Sequence, residues 1–129
     1  MPVTYQIDKA RSLIHTRCHG MVMFEEVMGH FQTLIDDPDC PPRLNVLLDL
    51  TESETAPESD QLRAVSAEIG RIQSAVKFNA CAVVVSSDLL FGMSRMFVVF
   101  ARSYFEATHV FRTFDSAEKW LETYRLPPA

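Results

Sequence analysis

The stretch ACAVVVSSDLLFGMSRMFVVFARSYF, Ala80 to Phe105, changes its period halfway along, and the rest of the chain can be ordered around that change. Ala80 to Ser87 is an almost unbroken apolar run closed by two serines, the pattern of a short strand covered on both faces. From Asp88 a helix is predicted, its successive side chains turning by about 100°. Leu89, Leu90, Met93, Phe97, Phe100, Ala101 and Tyr104 then share the face expected to meet the core. Asp88, Arg95 and Arg102 centre the opposite face, with Phe91 and Val98 on one flank and Gly92 and Val99 on the other. A helix docked on a sheet by one side normally shows water a broad polar surface, whereas here a thin cationic stripe runs between apolar residues. Something is expected to cover it: neighbouring helices or a returning loop of the same chain, a second copy of the chain, or an amphipathic ligand.

Outward from this unit the pattern repeats. LNVLLDL, Leu44 to Leu50, is a second continuous apolar run and reads as a central strand, followed by the polar loop TESETAPES. Thr55 and Glu58 have the spacing of a capping box around Pro57, so a helix is predicted to begin there, carrying Leu62, Val65, Ile69, Ile72 and Val76 at intervals of three or four. Toward the amino end, VTYQID and SLIHTRCHG alternate with period two and are joined by DKAR, a hairpin. Gly20 is expected to break the second strand. FEEVMGHFQTLID follows as a helix that Pro38 stops at Asp37. Toward the carboxyl end, THVFRTF is a short strand, and Asp115 with Glu118 has capping-box spacing for a last helix bearing Ala117, Leu121 and Tyr124, ended by Pro127 and Pro128. The order β-β-α-β-α-β-α-β-α predicts a single α/β domain over residues 1–129. Its sheet is mixed, of about five strands, with an antiparallel hairpin first, parallel strands after it, and four helices.

With 129 residues and 47% of them hydrophobic, one compact core is within reach. The formal charge of −5, with the basic residues scattered, gives no footprint for a phosphate backbone, so nucleic acid is not an expected partner. Met1 to Asp8 has neither a basic start nor a long apolar segment, and a cytoplasmic location is expected. Cys18, Cys40 and Cys81 form no disulfide framework or C-x-x-C pattern and are expected to be reduced thiols. His15 and His19 flank Arg17 on one strand face. With a cation between them and no further ligand frame, neither a metal nor any other cofactor is expected.

For chemistry, Asp49 at the carboxyl end of a central strand is the best single candidate, because ligands gather at that edge of an α/β sheet. Thr51, Ser53, Ser86, Ser87 and Asp88 join it as a possible anion or loop site where strands feed helix N-termini. Asp88 is expected to cap its own helix instead, and Ser86 or Ser87 shows no nucleophile elbow. No catalytic residue is assigned.

The DL that closes the central strand, the helix-opening SSDLLFGMSRMF and the final VFRTFDSAEKWL together resemble the SpoIIAA-like family, whose fold belongs with STAS domains and is sometimes grouped with Sec14-type lipid carriers. Phe91-Gly92-Met93 with Arg95-Met96, and Val110-Phe111 with Ala117 and Trp120-Leu121, carry most of the likeness. The resemblance implies a domain that works by binding partners. It does not extend to a phosphorylation switch: Thr51 to Asp60 lacks the Asp-Ser-Ser-Gly segment of anti-sigma-factor antagonists, and a phosphate on Ser53 would meet Glu52 and Glu54. The expectation is a non-catalytic binding or regulatory module, a homodimer joined through Phe91, Gly92, Arg95, Val98, Val99 and Arg102. Two alternatives remain open. In one, the same residues hold a small amphipathic lipid or acyl ligand, with Arg95 and Arg102 on its acidic head; in the other, the protein is an enzyme using Asp49.

Overall fold

The computed structural model describes residues 2–127; Pro128, expected with Pro127 to end the last helix, lies outside the described residues. The strands are β1 (Val3–Asp8), β2 (Leu13–Gly20), β3 (Arg43–Ser53), β4 (Lys77–Val84) and β5 (Ala107–Phe111). The helices are α1 (Phe24–Ile35), α2 (Ser59–Arg71), α3 (Asp88–Ala101) and α4 (Phe114–Glu122). Short 3-10 turns, Ile72–Ser74 and Arg102–Tyr104, continue α2 and α3.

The five strands pair in sequence order, β1-β2-β3-β4-β5; β1 is antiparallel to β2 and every later pair is parallel. This is the predicted sheet. Its order has a consequence for the helices. When each parallel strand is added beside the last in the same direction, right-handed crossovers put every connecting helix on the same face. Phe31 and Leu34 of α1, Leu62 and Ile69 of α2, and Phe97 and Ala101 of α3 accordingly share one core with Ile14 and Leu44 of the sheet. The last helix, α4, follows the final strand and takes the other face, where Ala117 and Leu121 meet Leu13, Leu47, Ala82 and Val84. Asn45 and Asn79, buried on that face, bond to one another at 2.9 Å and donate to the Tyr124 carbonyl, tying the chain beyond α4 to the sheet.

Several boundaries differ from the sequence expectation, each because a tertiary partner outweighs a local signal. Thr51, Glu52 and Ser53 continue β3 and are not a loop, since His19 and Gly20 extend β2 alongside Glu52 and Ser53. Gly20 therefore ends β2 from within, at φ +67, a left-handed conformation that costs a side-chain-bearing residue roughly 1–2 kcal/mol. The second helix starts at Ser59, capped where the Glu58 N–H donates to Gln61 Oε1 at 3.0 Å; Thr55, expected in that role, bonds to Val22. The cap of α3 is Ser87, whose Oγ accepts the Leu90 N–H, while Asp88, expected to cap, pairs with Arg112 at 2.8 Å. Thr113 replaces Asp115 as the cap of α4, its Oγ1 accepting from the Ser116 N–H at 3.2 Å. Among the described residues no helix is long and apolar enough to cross a membrane.

Candidate functional site

Side chains alternate across a strand, so Ile14, Thr16 and Cys18 of β2 point to the three-helix face together with Val46, Leu48 and Leu50 of β3. Opposite them stand Val27, Phe31, Leu62, Val65, Met93 and Phe97. The two layers do not close completely. Between them lies a cavity of about 390 Å³. Its origin is in side-chain size: Thr16, Cys18, Cys81 and Ser94 occupy inward positions where a helix-on-sheet core normally carries Leu, Ile or Phe. Voids larger than a water molecule are few in well-packed domains.

Among the described residues the lining contains no Asp, Glu, Lys or Arg. His30 on α1 is the one histidine, its imidazole edge-on to the Tyr5 ring at 5.3 Å between centroids, and burial lowers its pKa, so the neutral form is favoured. Burial also pushes the Cys81 thiol up to about 12 and, with help from the Asp49 charge, Cys18 to about 11. Both remain protonated thiols near neutrality and are poor nucleophiles. Thr16 is the exception to this quiet lining. It is 3% exposed, and its Oγ1 has no hydrogen-bond partner among the described residues.

Toward the carboxyl ends of β2 and β3 the lining includes residues of the loops that follow these strands. Met23, 55% exposed, lies there with Val22, Thr55, Pro57 and Gln61. Two loops are stitched there: the Val22 N–H donates to Thr55 Oγ1, that hydroxyl donates back to the Val22 carbonyl, both at 3.2 Å, and the Glu54 N–H donates to the Gly20 carbonyl at 2.9 Å. This is the ligand-gathering edge of the sheet that the sequence singled out through Asp49.

Asp49 itself is on the opposite face. It is 5% exposed, and its Oδ1 accepts from the Thr51 N–H at 2.9 Å and the Thr51 hydroxyl at 2.7 Å, with Arg17 Nε at 3.9 Å from Oδ2. Arg17 also pairs with Glu52. The carboxylate is thus engaged in shaping the strand end. The other residues of the expected loop site are occupied similarly: Ser86 Oγ donates to the Thr51 carbonyl at 2.8 Å, Ser53 Oγ donates to the Thr55 carbonyl at 3.1 Å, and Ser87 caps α3. Of these, the Ser86–Thr51 bond ties the chain after β4 to the end of β3, while Ser53 and Ser87 serve their own local turns. No group of three potential metal ligands occurs among the described residues.

On α3 the inward line is Leu90, Ser94, Phe97 and Ala101, spaced by four, three and four. Leu89, expected on the core face, is 67% exposed: it sits in the first turn, rotated about 100° from Leu90 toward solvent. Phe91 and Val98 are half-buried against the cluster of Cys81, Val83, Val85, Leu90 and Val110 of the same chain, and the Arg112 guanidinium covers Phe91 at 4.4 Å from its centroid. Val99 is 55% exposed beside the exposed Gly92, Arg95 and Arg102. The outward stripe therefore exists, with Leu89, Met96 and Val99 as its apolar members. The cavity residues Thr16 and Ser94 were not singled out in the sequence; polar residues at inward positions of an apolar period are the signal that marks them.

No protein-family model and no curated protein matches the chain. A solved structure of an uncharacterised protein from the DUF3478 family, with a SpoIIAA-like fold, from Shewanella loihica PV-4 superposes with a TM-score of 0.59. It is 14% identical, and the match covers 92% of this chain and 93% of that one. At that identity the likeness speaks for architecture alone. A mixed five-stranded sheet in sequential order, three helices on one face and one on the other, is a SpoIIAA-like fold.

Proposed function

We propose that this protein is a non-catalytic, cytoplasmic binding module that holds a small, largely apolar molecule between its sheet and the layer formed by α1, α2 and α3. The cavity of about 390 Å³ carries this reading. It falls in the size range of small-molecule sites, roughly 300–1,000 Å³. It is more than twice the volume, about 150 Å³, in which a benzene can be held by apolar side chains. The lining favours binding over turnover. Its thiols are protonated, its histidine is neutral, and Asp49, the residue on which an enzyme reading depends, faces the other side of the sheet.

A homodimer is the second reading, favoured by Leu89, Met96 and Val99 exposed in a line along α3. Both are read by one native mass spectrum of the freshly purified chain. A retained molecule adds a few hundred daltons, by order of magnitude, to the 14.6 kDa protomer and leaves on denaturation, whereas a dimer doubles the protomer mass. A bare protomer that also fails to take up the neutral dye Nile red would overturn the carrier reading; a bare protomer at all concentrations would overturn the dimer.

A further inference from the structure

We propose that the occupant of the cavity is uncharged, apolar over most of its surface, and carries one small hydrogen-bonding group, a hydroxyl or a carbonyl, that pairs with Thr16 on the sheet. The proposal rests on the reading of the cavity as a binding site and says which chemistry it selects. It parts from the sequence expectation that Arg95 and Arg102 receive an acidic head group, because both arginines are exposed on the outward stripe of α3 and neither lines the cavity.

Two independent observations support it. The first is electrostatic. Among the described residues the walls carry no ionised side chain, and neither Thr16 nor Ser94 brings a charge to the interior. A carboxylate or ammonium taken from water into such a space finds no counter-ion, and the desolvation penalty of an unpaired buried ion exceeds what apolar contacts of a small molecule return. Between the two layers, anions and cations are disfavoured alike.

The second is the hydroxyl of Thr16. It stands in the middle of β2, where the backbone groups on both sides are engaged with β1 and β3, so the ladder offers it no partner. Its neighbours on the same face are Ile14 and Cys18, and its Oγ1 is buried without a hydrogen bond among the described residues. A buried hydroxyl left unpaired is unfavourable. Valine has the same shape and a higher preference for strands, and would fill the position at no such cost. Thr16 lines the cavity with its Oγ1 turned away from water-sized contact, and a rotation about χ1 that brings the hydroxyl round to the space lets a ligand atom complete its hydrogen bond. Because a hydroxyl both donates and accepts, an alcohol or a ketone meets the requirement equally.

The experiment compares three probes on the full chain, read by displacement of Nile red at pH 8: octan-1-ol, octanoate and ethylbenzene. Octan-1-ol is expected to bind at least about tenfold more tightly than octanoate, although the two share their chain length. Thr16→Val is expected to weaken octan-1-ol by about tenfold, the effect of one lost hydrogen bond, while ethylbenzene, which makes none, binds the variant and the parent alike and so reports an intact cavity. Octanoate binding as tightly as octan-1-ol overturns the exclusion of charge, and an unchanged octan-1-ol affinity in the variant overturns the assignment of Thr16. In both cases the binding module stands. If none of the three probes displaces the dye from the parent chain, the underlying reading falls with the inference.

Discussion

The interior of this protein is set by a handful of side chains smaller or more polar than their positions call for. Thr16, Cys18, Cys81 and Ser94 leave space, and His30 bounds that space with a ring that is favoured neutral because burial disfavours its charged form. Tyr5 and Phe31 pack edge-on and tilted against it at 5.3 and 5.7 Å, and the Tyr5 hydroxyl donates to Asp37 at 2.6 Å instead of to the imidazole. A histidine whose folded pKa lies below its ordinary value of 6.5 binds fewer protons folded than unfolded. Its contribution to stability is therefore whole above pH 6.5 and is lost as pH falls below it through the folded value. His30→Gln is expected to flatten that slope. Urea denaturation of parent and variant at pH 7.5 and pH 5.5 checks this: the gap in stability between the two pH values shrinks in the variant if His30 is its source.

Gly70 of α2 meets Tyr104, in the 3-10 turn that continues α3, at close range. A Cβ built there would lie 2.8 Å from Tyr104 Cζ and 2.9 Å from Cε1, closer than real contacts allow. Alanine would gain up to about 1 kcal/mol of helix propensity, but forcing the tyrosine ring, partly buried against the core, aside costs roughly 1–3 kcal/mol. Gly70→Ala is expected to destabilise the fold by about 1 kcal/mol in urea titration. In a Tyr104→Ala background the same change becomes stabilising, because the clash is gone and the propensity remains. The same helix pair shows why periodicity located α3 correctly and yet misassigned Leu89. A hydrophobic pattern gives the direction of the buried face only to within a residue's rotation, and the sheet that settles it is elsewhere in the sequence.

For the molecule as a whole, the sequential strand order is the feature that matters. It commits three amphipathic helices to one face, and a layer of three helices over twisted strands has to be filled from both sides. Ser94 lies on the inward line of α3 and reaches the cavity, so a larger apolar residue there substitutes for what the cavity would hold. Ser94→Leu is expected to raise the melting temperature by several degrees, about 1–2 kcal/mol, and to abolish Nile red uptake. Loss of stability with uptake intact would show that the space near Ser94 is not the space the dye uses. Stability gained where binding is lost is the usual sign of a site kept at the expense of packing.

The five strands, four helices and mixed pairing are legible in the chain because their causes are local: apolar runs of strand length, helical periods, prolines that stop helices, and crossovers with one permitted hand. The chemistry of strand ends is less so. Glu52 and Ser53 look like loop until His19 and Gly20 pair with them, and Thr55 looks like a cap until Val22 takes its hydroxyl. The cavity is not written in any one segment. It arises where Thr16 and Cys18 of β2, Cys81 of β4 and Ser94 of α3 come to face one another, residues separated by up to 78 positions, and volume left between layers is a property of their assembly, to which each element contributes only one wall.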